Sequence, residues 1–257
     1  MLSIALPMHG VGHANYYLEL AQKDYYTAEG NDPGTWFGRG AAKLGLQGAV
    51  DSRPYEQLLW GRSPDGRRDL VQNAGDPHRQ TAWDLTFSAP KSVSVLWALA
   101  PKDVRAELEA AHRQAVEVAL KFLEETTGLT RRGKGGARME CADLVFALFP
   151  HYSSRALDPQ VHTHALLINL AVRHDGTTGA LWSREFFRAK MAAGAVYQVE
   201  LAAGLRERLG LVTEPARIGF QVAGCRRTCA GSSRSAARPS GPSSTNDKTT
   251  TPGRRSR

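Results

Sequence analysis

Apolar and polar residues alternate over Trp83-Asp84-Leu85-Thr86-Phe87-Ser88. A period of two predicts a strand with Trp83, Leu85 and Phe87 on one face and Asp84, Thr86 and Ser88 on the other. Two unbroken apolar runs follow: Leu144-Val145-Phe146-Ala147-Leu148-Phe149, and Ala165-Leu166-Leu167-Ile168 after His162-Thr163-His164. Both have the length and branching of buried strands. Elsewhere the period lengthens. Val104, Leu108, Ala111, Ala115, Val118 and Phe122 predict an amphipathic helix over 103–125, with Gly128 as its stop. A second long helix is expected from about Ala189 to Leu209, ending at Gly210. Its small residues Ala192, Ala193, Gly194 and Ala195 suit close packing. Pro90 suits the first turn of a helix over Lys91 to Leu99. Shorter elements are expected too: a strand over Ser3 to Pro7, a largely helical stretch over 13–26, and helices near 39–44 and 52–59. Short strands are expected around Val212 and over 218–220.

The two buried runs bring histidines together. His162 and His164 share a face because strand side chains alternate. If the runs pair antiparallel through the loop 152–160, His151 lands beside His162 and three imidazoles converge at one end of a sheet. Imidazole suits zinc, copper, iron or nickel, and three protein ligands leave positions open for substrate. Asp84 lies on a strand that runs into a helix start, a setting for a site carboxylate. Tyr16, Tyr17, Tyr25 and Tyr26 crowd four of the seven tyrosines into eleven residues. A phenol can attack phosphorus and form a covalent intermediate, splitting one displacement into two. Its pKa of about 10 leaves roughly a thousandth ionised at neutral pH, so a site must take its proton or lower that value. A bound cation does the complementary work at the phosphoryl oxygen. Tyrosine with a histidine-bound divalent ion therefore fits phosphodiester transesterification. Asp84 either orients a ligand imidazole or accepts the phenolic proton, and both roles stay open.

Charge changes this picture little. The net charge is +8, but residues 225–257 hold eight Lys/Arg against one acid, leaving 25 basic and 24 acidic residues in the rest. Any nucleic-acid groove is then a local feature. That last stretch is rich in Ser, Thr, Arg, Pro and Gly and cannot bury enough apolar surface to order itself. The division expected is a folded unit over 1–222 and a disordered basic tail over 223–257. Three cysteines suggest neither a disulfide framework nor a zinc knuckle. No secretory leader and no membrane-spanning run is visible, so a cytoplasmic protein without membrane insertion is expected. The glycine-rich basic run Arg131-Arg132-Gly133-Lys134-Gly135-Gly136-Ala137-Arg138 lacks the spacing of a nucleotide-binding loop and reads as a flexible connection.

Asn15-Tyr16-Tyr17, the run Asp84-Leu85-Thr86-Phe87-Ser88-Ala89-Pro90-Lys91-Ser92-Val93-Ser94, and His151 with Ser154-Arg155 and Pro159-Gln160-Val161-His162-Thr163-His164-Ala165 resemble the MobF-type conjugative relaxases. Trp36-Phe37-Gly38-Arg39-Gly40-Ala41 and Leu44-Gly45-Leu46-Gln47-Gly48 share in the likeness, which runs from about Ser3 to about Val222. These are HUH endonucleases that nick plasmid DNA at the transfer origin. The resemblance implies an α+β fold, with a central antiparallel sheet flanked by helices and the histidines on central strands. It implies Tyr16 as the nucleophile that forms a 5′-phosphotyrosine and leaves a free 3′-OH. Tyr17 would support it, and Tyr25 or Tyr26 would serve a later strand transfer. His151, His162 and His164 would hold the metal, Mg²⁺ or Mn²⁺ in family usage, with Zn²⁺ or Ni²⁺ favoured by three imidazoles. Asp84 would be the acidic partner. Independently of the resemblance, Lys91 and Arg155 are candidate phosphate contacts for single-stranded DNA. Implied partners are single-stranded DNA at the transfer origin, accessory proteins there, and the coupling protein of a secretion system. Family members usually continue into a helicase, so the chain reads as a truncated or out-of-frame relaxase. Two rival readings remain: a non-catalytic single-strand-binding remnant, and a three-histidine hydrolase that uses water.

Overall fold

The computed structural model describes residues 1–10, 34–154 and 156–224. Its centre is a six-stranded antiparallel sheet in the order β1-β4-β8-β7-β3, with β2 also pairing β4. The strands are β1 (Leu2–Ile4), β2 (Met8–His9), β3 (Thr35–Phe37), β4 (Gln80–Ser88), β7 (Phe146–Ser153) and β8 (Pro159–Ile168). Between β4 and β7 in sequence come β5 (Leu129–Arg132) and β6 (Arg138–Asp143). With β9 (Ala171–Arg173) and β10 (Thr178–Gly179) they form a second sheet in the order β10-β9-β6-β5. β11 (Thr213–Pro215) and β12 (Phe220–Val222) pair as a short ribbon. The α+β class expected from the sequence is the class found.

Alternation gives the central sheet two apolar faces and therefore two cores. One face carries Trp83, Leu85, Phe87, Phe146, Leu148, Val161, Ala165 and Leu167. Two 26-residue helices, Lys102–Thr127 and Arg184–Leu209, cover it and pack along each other. The absence of side chains matters there: Gly204 lies against Ala111, and Gly194 against Leu2 of β1. The other face carries Ala82, Val145, Ala147, Phe149, Leu166 and Ile168. It is roofed by Trp36, Leu46, Val50 and by Tyr55, Leu58 and Leu59 of the helix Ser52–Leu59. Burying each large side chain contributes about 1.5–3 kcal/mol, so the thinner second layer is held by real apolar area.

Polar anchors fix that second layer. The buried Glu124 carboxylate accepts the backbone N–H groups of Arg39 at 3.0 Å and Leu144 at 2.8 Å. Asp143 takes Arg39 Nε at 2.8 Å and Lys43 Nζ at 2.5 Å. Gly38 has φ +100°, and a Cβ on it would stand 2.5 Å from the Leu144 carbonyl oxygen. Only glycine fits such an approach.

Several boundaries differ from expectation. The first strand covers Leu2–Ile4 rather than Ser3 to Pro7, and the last helix begins at Arg184, a full turn before Ala189. The basic glycine run is not a plain connection. Arg131 and Arg132 close β5, Arg138 opens β6, and only the turn between them is glycine-driven. The glycines sit in the tight turn that joins the two strands, where positive φ is needed at Gly133, Gly135 and Gly136.

Candidate metal centre

The register of β7 against β8 sets His151 opposite His162, and β8 places His164 two residues on, opposite Phe149. All three imidazoles thus emerge from the second-core face, at the end of the sheet where that core gives out. Their ring centroids are 5.4 Å (151–162), 5.1 Å (151–164) and 5.0 Å (162–164) apart. One ligating atom from each lies within 4.8 Å of the others, close enough for small ring rotations to bring all three onto one ion. The hairpin expected from periodicity is the hairpin that forms.

Hydrogen bonds decide which nitrogens face the centre. His162 Nδ1 lies 2.8 Å from the carbonyl oxygen of Gln160, which can only accept, so Nδ1 carries the proton. His164 Nδ1 lies 2.8 Å from Asp84 Oδ2 and likewise donates. Thr86 Oγ1 sits 3.2 Å from the other carboxylate oxygen, Asp84 Oδ1, and steadies it. Both arrangements leave Nε2 as the lone-pair nitrogen. His151 Nε2 is buried, and no described residue hydrogen-bonds it. A buried polar atom without a partner costs about 1–3 kcal/mol, so this nitrogen fits a ligand to an ion. Burial, and then the neighbouring His164 and His162, push the His151 imidazole down to about 3, so it stays neutral and able to coordinate. The donor set therefore fits a divalent cation of the imidazole-seeking kind.

Asp84 stands on β4 opposite Leu166, 7% exposed, and reaches past Thr86 to His164. Of the two roles the sequence leaves open, this geometry favours orienting the ligand. Lys91 does not lie idle beside the site: its Nζ donates to the Pro159 carbonyl at 3.0 Å and ties the start of β8 to the helix Lys91–Leu99. Tyr16, Tyr17, Tyr25, Tyr26 and Arg155 lie outside the described residues. Sequence reasoning gave Thr86 a face but no role; its partner Asp84 at i−2 was the available signal.

A family model described as TrwC relaxase matches residues 11–238, ending inside the stretch read as tail. The multifunctional conjugation protein TraI of Escherichia coli is 38% identical over 226 residues, covering 83% of this chain and 12% of the relative. TraI of Escherichia coli strain K12 is 38% identical over 225 residues, covering 86% and 12%. This chain thus spans about an eighth of the length of those relatives. Among solved structures, the conjugative relaxase TrwC in complex with oriT DNA in its metal-bound form is 38% identical, with a TM-score of 0.78 over 91% of this chain and 80% of that one. Its copper-bound form is 39% identical with a TM-score of 0.77, over 90% and 79%. In sequence along most of its length and in fold, the chain belongs to the TrwC relaxase family.

Proposed function

We propose that this chain is a conjugative relaxase unit that nicks one strand of plasmid DNA at the origin of transfer by metal-dependent transesterification. The observation that carries the reading is the convergence of His151, His162 and His164 with Asp84 behind them, in a member of a relaxase family. The folded unit is 1–222, with 223–257 as a tail. The substrate is single-stranded DNA at the transfer origin; the TrwC relative was solved in complex with oriT DNA. The work is cytoplasmic, where plasmid DNA lies. Accessory proteins at the transfer origin and a secretion-system coupling protein are the further partners. Among the described residues no helix is long and apolar enough to cross a membrane.

In this reading the phenolic oxygen of Tyr16 attacks the scissile phosphorus, supported by Tyr17. A bond from phosphorus to the tyrosine oxygen forms as the bond to the 3′ oxygen breaks. Overall the phenolic proton replaces the phosphoryl group on the 3′ oxygen, giving a 3′-OH and a 5′-phosphotyrosine. A divalent ion bound at this site would supply stabilisation of the negative charge that develops on the phosphoryl group. His151, His162 and His164 would hold that ion. Asp84 holds His164 in the tautomer and orientation that coordination needs. Tyr25 or Tyr26 performs a later transfer of the same kind. Arg155 and Lys91 neutralise phosphates on the approaching strand. Mn²⁺ or Mg²⁺ would serve in turnover, and Zn²⁺, Ni²⁺ or Cu²⁺ would bind the three imidazoles more tightly.

The test is a covalent one. The chain is incubated with a single-stranded oligonucleotide carrying the nick site from its own plasmid and run on a denaturing gel. A protein–DNA adduct that disappears in Tyr16→Phe and fades with chelator supports the reading. A gel shift with no adduct points instead to a binding remnant. Cleavage without a covalent species points to a water-using hydrolase.

A further inference from the structure

Behind the histidine strand, on the opposite face of the sheet, runs a buried polar chain that the nicking chemistry does not use. His112 sits in the middle of the helix Lys102–Thr127, 3% exposed. Its Nδ1 lies 2.9 Å from the Tyr197 hydroxyl, and its Nε2 lies 2.9 Å from Thr163 Oγ1. Thr163 stands between His162 and His164 and points away from them into the first core. Opposite it in the sheet are Phe87 and Pro150, neither of which offers a side-chain hydrogen bond. Burial, and then His162, hold His112 down near 3, so its imidazole is neutral and carries one proton. Tyr197 is fully buried and keeps its proton. Among the described residues His112 Nδ1 is the acceptor in reach of that hydroxyl. The chain therefore has one direction: Tyr197 O–H donates to Nδ1, and Nε2–H donates to Thr163 Oγ1.

We infer that Tyr197, His112 and Thr163 are positioning residues for the metal centre, fixing the backbone between two of its ligands from the far side of the sheet. The inference rests on the metal-centre reading. The pitch and tilt of β8 at residue 163 set where both ligand imidazoles project. A hydrogen bond to a side chain at that one position resists rotation of the peptide planes on either side. Both long helices meet at this point, His112 from one and Tyr197 from the other, so the tether is anchored in the main core rather than in the thin layer beside the site.

Cu²⁺ alone is the probe, added to the full chain without DNA and followed by electron paramagnetic resonance and by titration. Thr163→Val and Tyr197→Phe should change the g and hyperfine values and weaken Cu²⁺ binding by about tenfold, the range usual for residues supporting metal ligands. Thr163→Ser should restore both. Spectra of Thr163→Val and Tyr197→Phe that superimpose on the parent, with affinity within about twofold, overturn the inference even if the thermal midpoint falls, because that pattern belongs to a purely structural role. A parent spectrum indifferent to His164→Ala overturns the metal-centre reading itself, and this inference with it.

Discussion

Asp84 Oδ2 accepts a hydrogen bond from His164 Nδ1 at 2.8 Å. That contact spends the imidazole's only proton on the side away from its two histidine neighbours. Asp84→Asn keeps the shape but can present an amide N–H to Nδ1, which would move the imidazole proton to the ligating nitrogen. Metal affinity should fall about 10–100-fold, with the fold intact. Isothermal titration with Mn²⁺ or Zn²⁺ checks the affinity, and circular dichroism checks the fold. An Asn variant that binds like the parent would remove Asp84 from the site.

The orphaned nitrogen of His151 makes a prediction about stability. An ion that binds the folded chain and not the unfolded one raises stability by RT ln(1 + [L]/Kd), about 2.7 kcal/mol at a hundredfold excess over Kd. Chelator should lower the melting temperature and Zn²⁺ should raise it. In His151→Ala the Zn²⁺ shift should largely vanish. Differential scanning fluorimetry reads all three.

His112 gives the pH dependence. In the unfolded chain its imidazole takes a proton near 6.5, whereas in the folded chain burial delays this until about 3. Between those values the unfolded state binds more protons, so stability falls as pH drops from 6.5 toward 3. From this group alone the slope is about 1.4 kcal/mol per pH unit. Urea denaturation at a series of pH values should show that slope, and His112→Gln should reduce it by close to one proton.

Glu124 ties the second layer to the long helix through two backbone N–H groups. Glu124→Ala would leave the buried Leu144 N–H unpaired, at about 1–3 kcal/mol, and the part-buried Arg39 N–H without its carboxylate acceptor. The expected result is a loss of several degrees in melting temperature. Glu124→Gln keeps an acceptor oxygen and should lose less. Equal losses in the two variants would show that charge, rather than hydrogen bonding, is what the layer needs.

The candidate centre was readable because its parts are local or follow from pairing across one short loop. His162 and His164 sit two apart in a strand, and the 152–160 connection forces His151 beside them. The alternation of 83–88 placed Asp84 on the correct face in the same way. Resemblance to a relaxase family supplied the roles, which no periodicity carries. Distant partners stayed hidden. His112 is 51 residues from Thr163 and 85 from Tyr197, and on an amphipathic helix it looks like any polar interruption. Edge strand β3 was invisible inside a Gly-, Pro- and Asp-rich stretch, because three residues set no period. β5 and β6 were hidden by the glycines between them. There Arg131 rests over Trp182, 3.8 Å from the ring centroid, a contact made across the fold.

Strand β8 presents its imidazoles to one side and, through Thr163, a hydroxyl to the other, while Val161, Ala165 and Leu167 fill the main core. The direction of the imidazoles and the packing of the main core are thereby governed by a single frame. A residue inserted within the turn before Pro159 leaves that frame alone, whereas one inserted after His162 would turn His164 toward the main core and bring Thr163 to the metal-facing position in its place. The chain cannot drift gradually toward a misplaced metal site: a slip that spoils the imidazole geometry also drives an imidazole into the apolar packing of the main core.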